Sequence, residues 1–439
     1  MATGALRAQR TIETIDRDWR FHPGELSGAE QPDFVDTKWR RLDLPHDWAF
    51  EAPYAEDAAQ ADRGGYKPGG IGWYRREFYV PPGELDRVWR VEFDAIYMNS
   101  EVWLNGHQLG SRPYGYISFG YDLAIHLRPG RNVLAVRVDN SREPSARWYH
   151  GCGIYGHVRL VSTGSVRIAP SGVFVYSPVL SDESATVVVQ TELQYLAEEA
   201  ASVELRTRLL AADGTVVAAS AIAVGFVNDA HMAVQHLVVK APQRWDVDAP
   251  HLYTAVSEIL VAGVVSDQVR TRFGLREIRW DTSTGFWLNG RNLKIRGVAE
   301  HLEGGPVGAA WPDDLIRWKI ELLRTMGANA IRTAHNPQVP RFYELCDELG
   351  MLVLDEGFDG WKQKAPEDYA HQVFGEWWER DLRDWLRRDR NHPSVFLYSL
   401  GNETSGDVAA DLLRVAREVD PTRAYTSGHA AAALMDVYG

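Results

Sequence analysis

Ser394-Val395-Phe396-Leu397-Tyr398-Ser399-Leu400-Gly401-Asn402-Glu403 is the stretch on which the fold turns. The apolar run of Val395, Phe396 and Leu397 reads as a strand buried on both faces, and Gly401 lets the backbone turn before a carboxylate presented at the strand's end. Glu403 is thus a candidate catalyst, or a surface acid ahead of a helix that Ser405 and Asp407 would cap. Its neighbours decide. Outward from this stretch, apolar runs at 293–296, 330–332, 351–355 and 424–427 alternate with helical patterns at 313–326, 340–349, 374–391 and 408–419. Asp313, Asp314 and Asp407 stand where anionic helix starts belong, Gly327 and Gly350 where helices end. Repeated strand–helix units predict a parallel sheet, so 276–439 reads as an incomplete (β/α)8 TIM barrel, with 434–438 as the opening of a sixth strand.

Upstream the pattern is all-β. Over 10–163, alternating runs at 73–80, 89–93, 100–104, 132–138 and 158–161 are cut by Gly, Pro and Asn, and Asn105-Gly106 is a hairpin signal. This predicts a jelly-roll sandwich whose Gly-rich loops at 63–72 and 113–120 carry binding groups. Over 164–275 aromatic content falls and Ala and Val rise; runs at 200–210, 215–224 and 233–239 predict a second, smaller sandwich of immunoglobulin-like type, with 243–253 irregular.

The chain has 439 residues, 45% hydrophobic and 24% charged, enough for several cores, and its net charge of -13 disfavours nucleic-acid and anionic-membrane partners. Cys152 and Cys346 are too few for a disulfide scaffold, lack CxxC spacing and are expected to stay reduced. The start lacks an apolar signal core and no run of membrane length follows, so a cytoplasmic location is expected, although a processed start would hide a signal. The 16 Trp, 18 Tyr and 14 Phe fill cores in the general case and stack on sugars in a special one.

In a barrel, function gathers at the carboxyl ends of the strands. Those ends carry Glu300, His301 and Glu303; then Arg332, His335 and Asn336; then Asp355, Glu356, Asp359 and Trp361; then Asn402 and Glu403; and finally Ser427 and His429. A purely structural barrel has no reason to collect such groups on one rim, which favours the catalytic reading of Glu403. His301, His335, Asp359 and Glu403 are metal ligands by type, but no HExxH or HxH spacing joins two of them, and GxSxG, P-loop and strand-linked GxGxxG motifs are absent. Acid/base work by carboxylates remains, and glycoside hydrolysis is the reaction class that needs two of them flanking one bond.

At these residues the chain resembles glycoside hydrolase family 2, the β-galactosidase, β-glucuronidase and β-mannosidase family. The resemblance rests on Leu44-Pro45-His46-Asp47-Trp48, Gly72 to Arg76, Val102 to Gly106, Arg147-Trp148-Tyr149, Phe273 to Arg276, Asn329 to Pro337, Leu345 to Asp359 and Ser399 to Glu403. It implies a sugar-binding jelly roll, an immunoglobulin-like sandwich and a barrel. It places the acid/base role on Glu403, a bond to the sugar 2-hydroxyl on Asn402, and the terminal-sugar subsite on His335 and His301, with Asn336 beside them. His335 is alternatively a histidine that satisfies backbone groups in a turn. Asp355 and Glu356 read equally as a structural pair, one of them neutralised by Arg332, or as catalysts. Where some members bind Mg2+ through a Glu and a His, this chain has Asp359 and Trp361; that departure counts against a metal, with a structural Mg2+ on carboxylates as the alternative, and offers Asp359 and Trp361 as sugar-binding residues, Trp361 as a platform; no other cofactor is expected. The family's nucleophile comes from strand seven, beyond residue 439, so none is nominated here and the chain reads as C-terminally truncated, with little activity of its own. The expected substrate is a β-linked saccharide, a β-galactoside first, with β-glucuronidase and a non-catalytic carbohydrate-binding fragment as alternatives; homo-oligomers are common in the family.

Overall fold

The structure is a computed structural model that describes residues 10–195, 202–225, 230–404, 408–429 and 433–438. Strand alternation builds the first sandwich: in Val88–Phe93, Trp89, Val91 and Phe93 turn inward while their neighbours face out. That strand belongs to a four-stranded antiparallel sheet with Thr11–Thr14, Val158–Thr163 and Phe119–Asp122. A six-stranded antiparallel sheet runs Arg40–Leu42, Trp19–Pro23, Gly70–Val80, Gly130–Asn140, Ser100–Leu104 and His107–Arg112, and the two share a core with Trp19, Tyr74, Phe93 and Val136. At the predicted hairpin Leu104 pairs with His107 while Asn105 and Gly106 have φ of 52° and 85°, the left-handed pair of a type I′ turn.

The second sandwich pairs Val166–Leu180, Ser184–Tyr195 and Ala230–Lys240 with a sheet of Val216–Val224, Val203–Leu210, Tyr253–Val261 and Val264–Phe273. Val187, Leu193, Leu205 and Ile259 fill it. Part of the run expected at 200–210 lies outside the described residues.

Five parallel strands follow in chain order: Gly297–Glu300, Ala330–Thr333, Leu352–Glu356, Val395–Ser399 and Ala424–Thr426. They form part of a (β/α)8 barrel. Helix Asp313–Thr325 covers them with Ile316, Ile320 and Leu323, the spacing of one helical face, and Phe374–Asp389 does so with Leu382, Trp385 and Leu386. A small antiparallel sheet, Ile278–Asp281 with Gly285–Leu288 and Arg291–Asn292, packs Phe286 and Leu288 against Ala330, Leu352 and Phe396 at the strands' amino ends. The carboxyl rim is left for chemistry.

Three expectations are corrected. The first barrel strand begins at Gly297 and not at 293, because Leu293 N–H still bonds Phe286 O in the small sheet; Glu300 is therefore a strand residue, ion-paired with Lys319. Residues 434–438 are not a strand: the N–H groups of Asp436 and Val437 both converge on Tyr425 O, a turn's geometry rather than a ladder's. Gly401 does not supply the left-handed turn; Glu403 does, with φ 44°, while a Cβ on Gly401 would meet Thr404 Cγ2 at 2.6 Å and Trp361 Nε1 at 2.9 Å. The caps expected at Ser405 and Asp407 lie outside the described residues. Cys152 and Cys346 are free and buried, and no described helix is long and apolar enough to cross a membrane.

His157 joins the first sandwich to the barrel, with Nδ1 2.7 Å from Asp16 Oδ2 and Nε2 3.2 Å from Asp313 Oδ1. The hydrogen bonds to Asp16 and then Asp313 raise its imidazole to about 10. Because an unfolded histidine titrates near ~6.5, the stabilisation is complete below that pH and is lost as pH rises through about 10. His157→Gln is expected to lower the urea midpoint strongly at about pH 6 and little at about pH 10.5. Equal losses at both would show that no proton is held there.

Candidate active site

The third barrel strand ends in two acids with opposite fates, because successive strand residues face opposite sides. Asp355 points into the packing against the helices, where Tyr343 Oη (2.6 Å) and Trp385 Nε1 (2.7 Å) donate to it and burial pushes its carboxyl well up. Glu356, also buried, points to the rim. Its Oε1 accepts from Arg332 Nη2 (3.0 Å) and His335 Nδ1 (2.6 Å), its Oε2 from Arg332 Nε (3.2 Å) and Ser399 Oγ (2.6 Å). Both oxygens are engaged, so Glu356 is the structural partner that Arg332 neutralises.

Arg332 carries the network onward. Its Nη2 donates to Asn402 Oδ1 at 2.9 Å, and Asn402 Nδ2 donates to Asp359 Oδ1 at 3.1 Å. Asp359 is clamped by Arg147, with Nε at 3.1 Å and Nη2 at 2.6 Å, and Lys364 Nζ stands 3.3 Å away. Burial raises the Asp359 carboxyl, but the Arg147 bond and the Lys364 charge outweigh it and hold it below its ordinary value. Glu403 closes the series, 49% exposed, with Oε2 3.2 Å from Arg147 Nη1 and 3.6 Å from Lys364 Nζ. Its carboxyl is likewise lowered: slight burial raises it, and the charges of Arg147 and Lys364 prevail.

A ring cluster stands beside this network. Trp148 stacks on His301 with centroids 4.9 Å apart and meets His335 edge-on at 5.4 Å; His301 and His335 are themselves perpendicular at 5.2 Å. Burial, then the neighbouring His335, lowers the His301 imidazole. The Ala334 backbone bonds the His301 imidazole and Trp148 bonds the Tyr116 hydroxyl, so both rings are held from behind.

The structure thus brings Glu403, Asn402, Asp359, His335 and His301 to one rim. Two expected site residues are placed elsewhere. Trp361 is buried, its indole N–H bonded to Leu400 O at 3.0 Å, so its face is spent on packing rather than offered to a sugar. Asn336 is fully buried, with Nδ2 on Pro337 O at 3.0 Å. A divalent cation fits poorly at Asp359, since Arg147 and Lys364 already neutralise it, and no group of three ligand-type side chains forms among the described residues. Sequence reasoning missed Arg147, Trp148 and Lys364 as site residues. Arg147 and Trp148 lie in a quoted motif of the first sandwich, but nothing in local spacing shows that the loop reaches the barrel.

Comparison with known proteins agrees across the chain. Residues 16–164 match the model for glycosyl hydrolases family 2, sugar binding domain; 166–276 match glycosyl hydrolases family 2; 281–438 match its TIM barrel domain. A protein of Formosa agariphila named putative beta-glucuronidase is 45% identical over 98% of this chain and 41% of its own length. A protein of Bacteroides ovatus named beta-galactosidase is 43% identical over 94% of this chain and 49% of its own. The crystal structure of a family 2 member from Bacteroides cellulosilyticus superposes with a TM-score of 0.94 at 36% identity, covering 97% of this chain and 58% of that one. The chain spans about half the length of the curated relatives it matches.

Proposed function

Because the chain belongs to glycosyl hydrolase family 2, we propose that it carries the acid/base half of a retaining exo-β-glycosidase acting on terminal β-linked sugars, β-galactosides first. The observation that carries this reading is Glu403 itself: a half-exposed carboxylate at the end of a wholly buried strand, on a rim where Glu356 and Asp359 are committed to cations. In the first step the Glu403 carboxyl gives its proton to the glycosidic oxygen as the C1–O bond breaks; in the second its carboxylate takes a proton from the attacking water. No described residue is nominated as the nucleophile that holds C1 between these steps. Asn402, oriented by Arg332 and Asp359, would bond the sugar 2-hydroxyl, and the Trp148, His301 and His335 rings would wall the terminal sugar.

A β-glucuronide is the second reading, favoured by the cations Arg147 and Lys364 on the rim and by the Formosa relative. The test compares kcat/KM of the full-length protein on nitrophenyl β-galactoside, β-glucuronide and β-mannoside. The galactoside is expected to lead; a lead for the glucuronide would transfer the assignment to that sugar, and no turnover of any would leave only carbohydrate binding.

A further inference from the structure

Arg147 divides its guanidinium unequally between two acids. Nε and Nη2 hold Asp359 at 3.1 and 2.6 Å, whereas Nη1 meets Glu403 Oε2 only at 3.2 Å. Lys364 is anchored similarly: Nζ donates to the Asn402 carbonyl at 2.6 Å and lies 3.3 Å from Asp359 Oδ1, but 3.6 Å from Glu403 Oε2. Asp359 and a backbone carbonyl therefore fix both cations, and Glu403 is their loosest partner. A half-exposed carboxylate gains little from such contacts, so exchanging it for another anion costs little.

Among the described residues, the charges around Glu403 oppose what a general acid needs. Glu403 must carry a proton when the leaving oxygen departs, and two adjacent cations favour its ionised form. A leaving group that brings its own negative charge removes the conflict: two cations then face two anions, Asp359 and the substrate's, and Glu403 is neutral. Position supports the leaving-group side, since Arg147 and Lys364 flank the acid that serves the departing oxygen, while Arg332, Glu356 and His335 lie farther along the same network, behind Asn402. Resting on the glycosidase reading above, we propose that Arg147 and Lys364 form a leaving-group subsite for a carboxylate-bearing aglycone, such as an acidic sugar or an aromatic acid next to the scissile bond. The substrate's carboxylate takes over Arg147 Nη1 and Lys364 Nζ, and Glu403, released from both, takes up a proton from solvent and gives it to the glycosidic oxygen.

The test uses the full-length protein and calorimetric Kd values for phenyl and 4-carboxyphenyl 1-thio-β-galactosides and for the same pair of thio-β-glucuronides. In both sugar series the aglycone carboxylate is expected to tighten binding about fivefold at low salt. That ratio should fall to about one in Arg147→Met and survive in part in Arg147→Lys. Because the readout is a ratio within each variant, a general loss of fold cancels. Phenyl compounds that bind with no gain from the carboxylate would overturn the subsite. A gain that follows the glucuronide sugar instead would overturn it too, showing that the cations read the glycone. If none of the four binds, the glycosidase reading itself fails and the subsite with it.

Discussion

Glu403→Gln is expected to lower kcat on glycosides with poorly departing alcohols by about 10²–10⁴-fold, the usual worth of a positioned proton donor. On dinitrophenyl glycosides, whose phenolate leaves unprotonated, the first step should be nearly untouched. The side chain is half exposed and, among the described residues, its ion pairs are with Arg147 and Lys364 at 3.2 and 3.6 Å, so the variant should fold as the parent does. Kinetics across a leaving-group series, with circular dichroism as the control on folding, measure both. A loss of equal size for every leaving group would remove Glu403 from the acid role.

Arg332→Ala carries the largest expected cost in stability, about 3–5 kcal/mol, because it strands a buried charge. Glu356 is 1% exposed and takes three of its contacts from that guanidinium. Asn402 Oδ1 loses its donor as well, so the Asn402–Asp359 link should loosen and activity should fall with stability. Urea unfolding measures the first. A double-mutant cycle with Glu356→Gln measures the pairing: the two losses should be well short of additive, since the neutral amide no longer needs the cation. A loss below about 1 kcal/mol would mean that the pair is not what holds this rim together.

Much of this architecture was legible in the residues themselves. Strands at 100–104 and 395–399 and the helix at 340–349 fall where periodicity and Gly or Pro punctuation put them, because those signals are local. The rim was legible for a similar reason, since a barrel fixes where strand ends go. What escaped was non-local. Whether Asp355 or Glu356 faces the rim depends on register against neighbouring strands, and Trp361 looked available only because nothing nearby in sequence reveals the Leu400 carbonyl that holds it. Arg147 meets a partner 256 positions away, through a loop whose own sequence reads as a connection between strands. The start of the first barrel strand was displaced by the small sheet ahead of it, which competes for the same apolar residues.

One of the links between the N-terminal sandwich and the barrel is a buried carboxylate, Asp47. Asp47 Oδ1 caps the short helix Trp48–Glu51 through Ala49 and Phe50 N–H and accepts from Cys152 N at 2.9 Å, while Oδ2 accepts from Tyr149 Oη and from Ala309 N at 2.9 Å in the barrel's first loop. Tyr149 and Cys152 belong to the loop that delivers Arg147 and Trp148. Replacing this sandwich by another would carry a penalty: the incoming sandwich would have to bring both the acid and the loop, and the barrel an amide at the place of Ala309, or the rim would keep Lys364, His301 and His335 but lose Arg147 and Trp148.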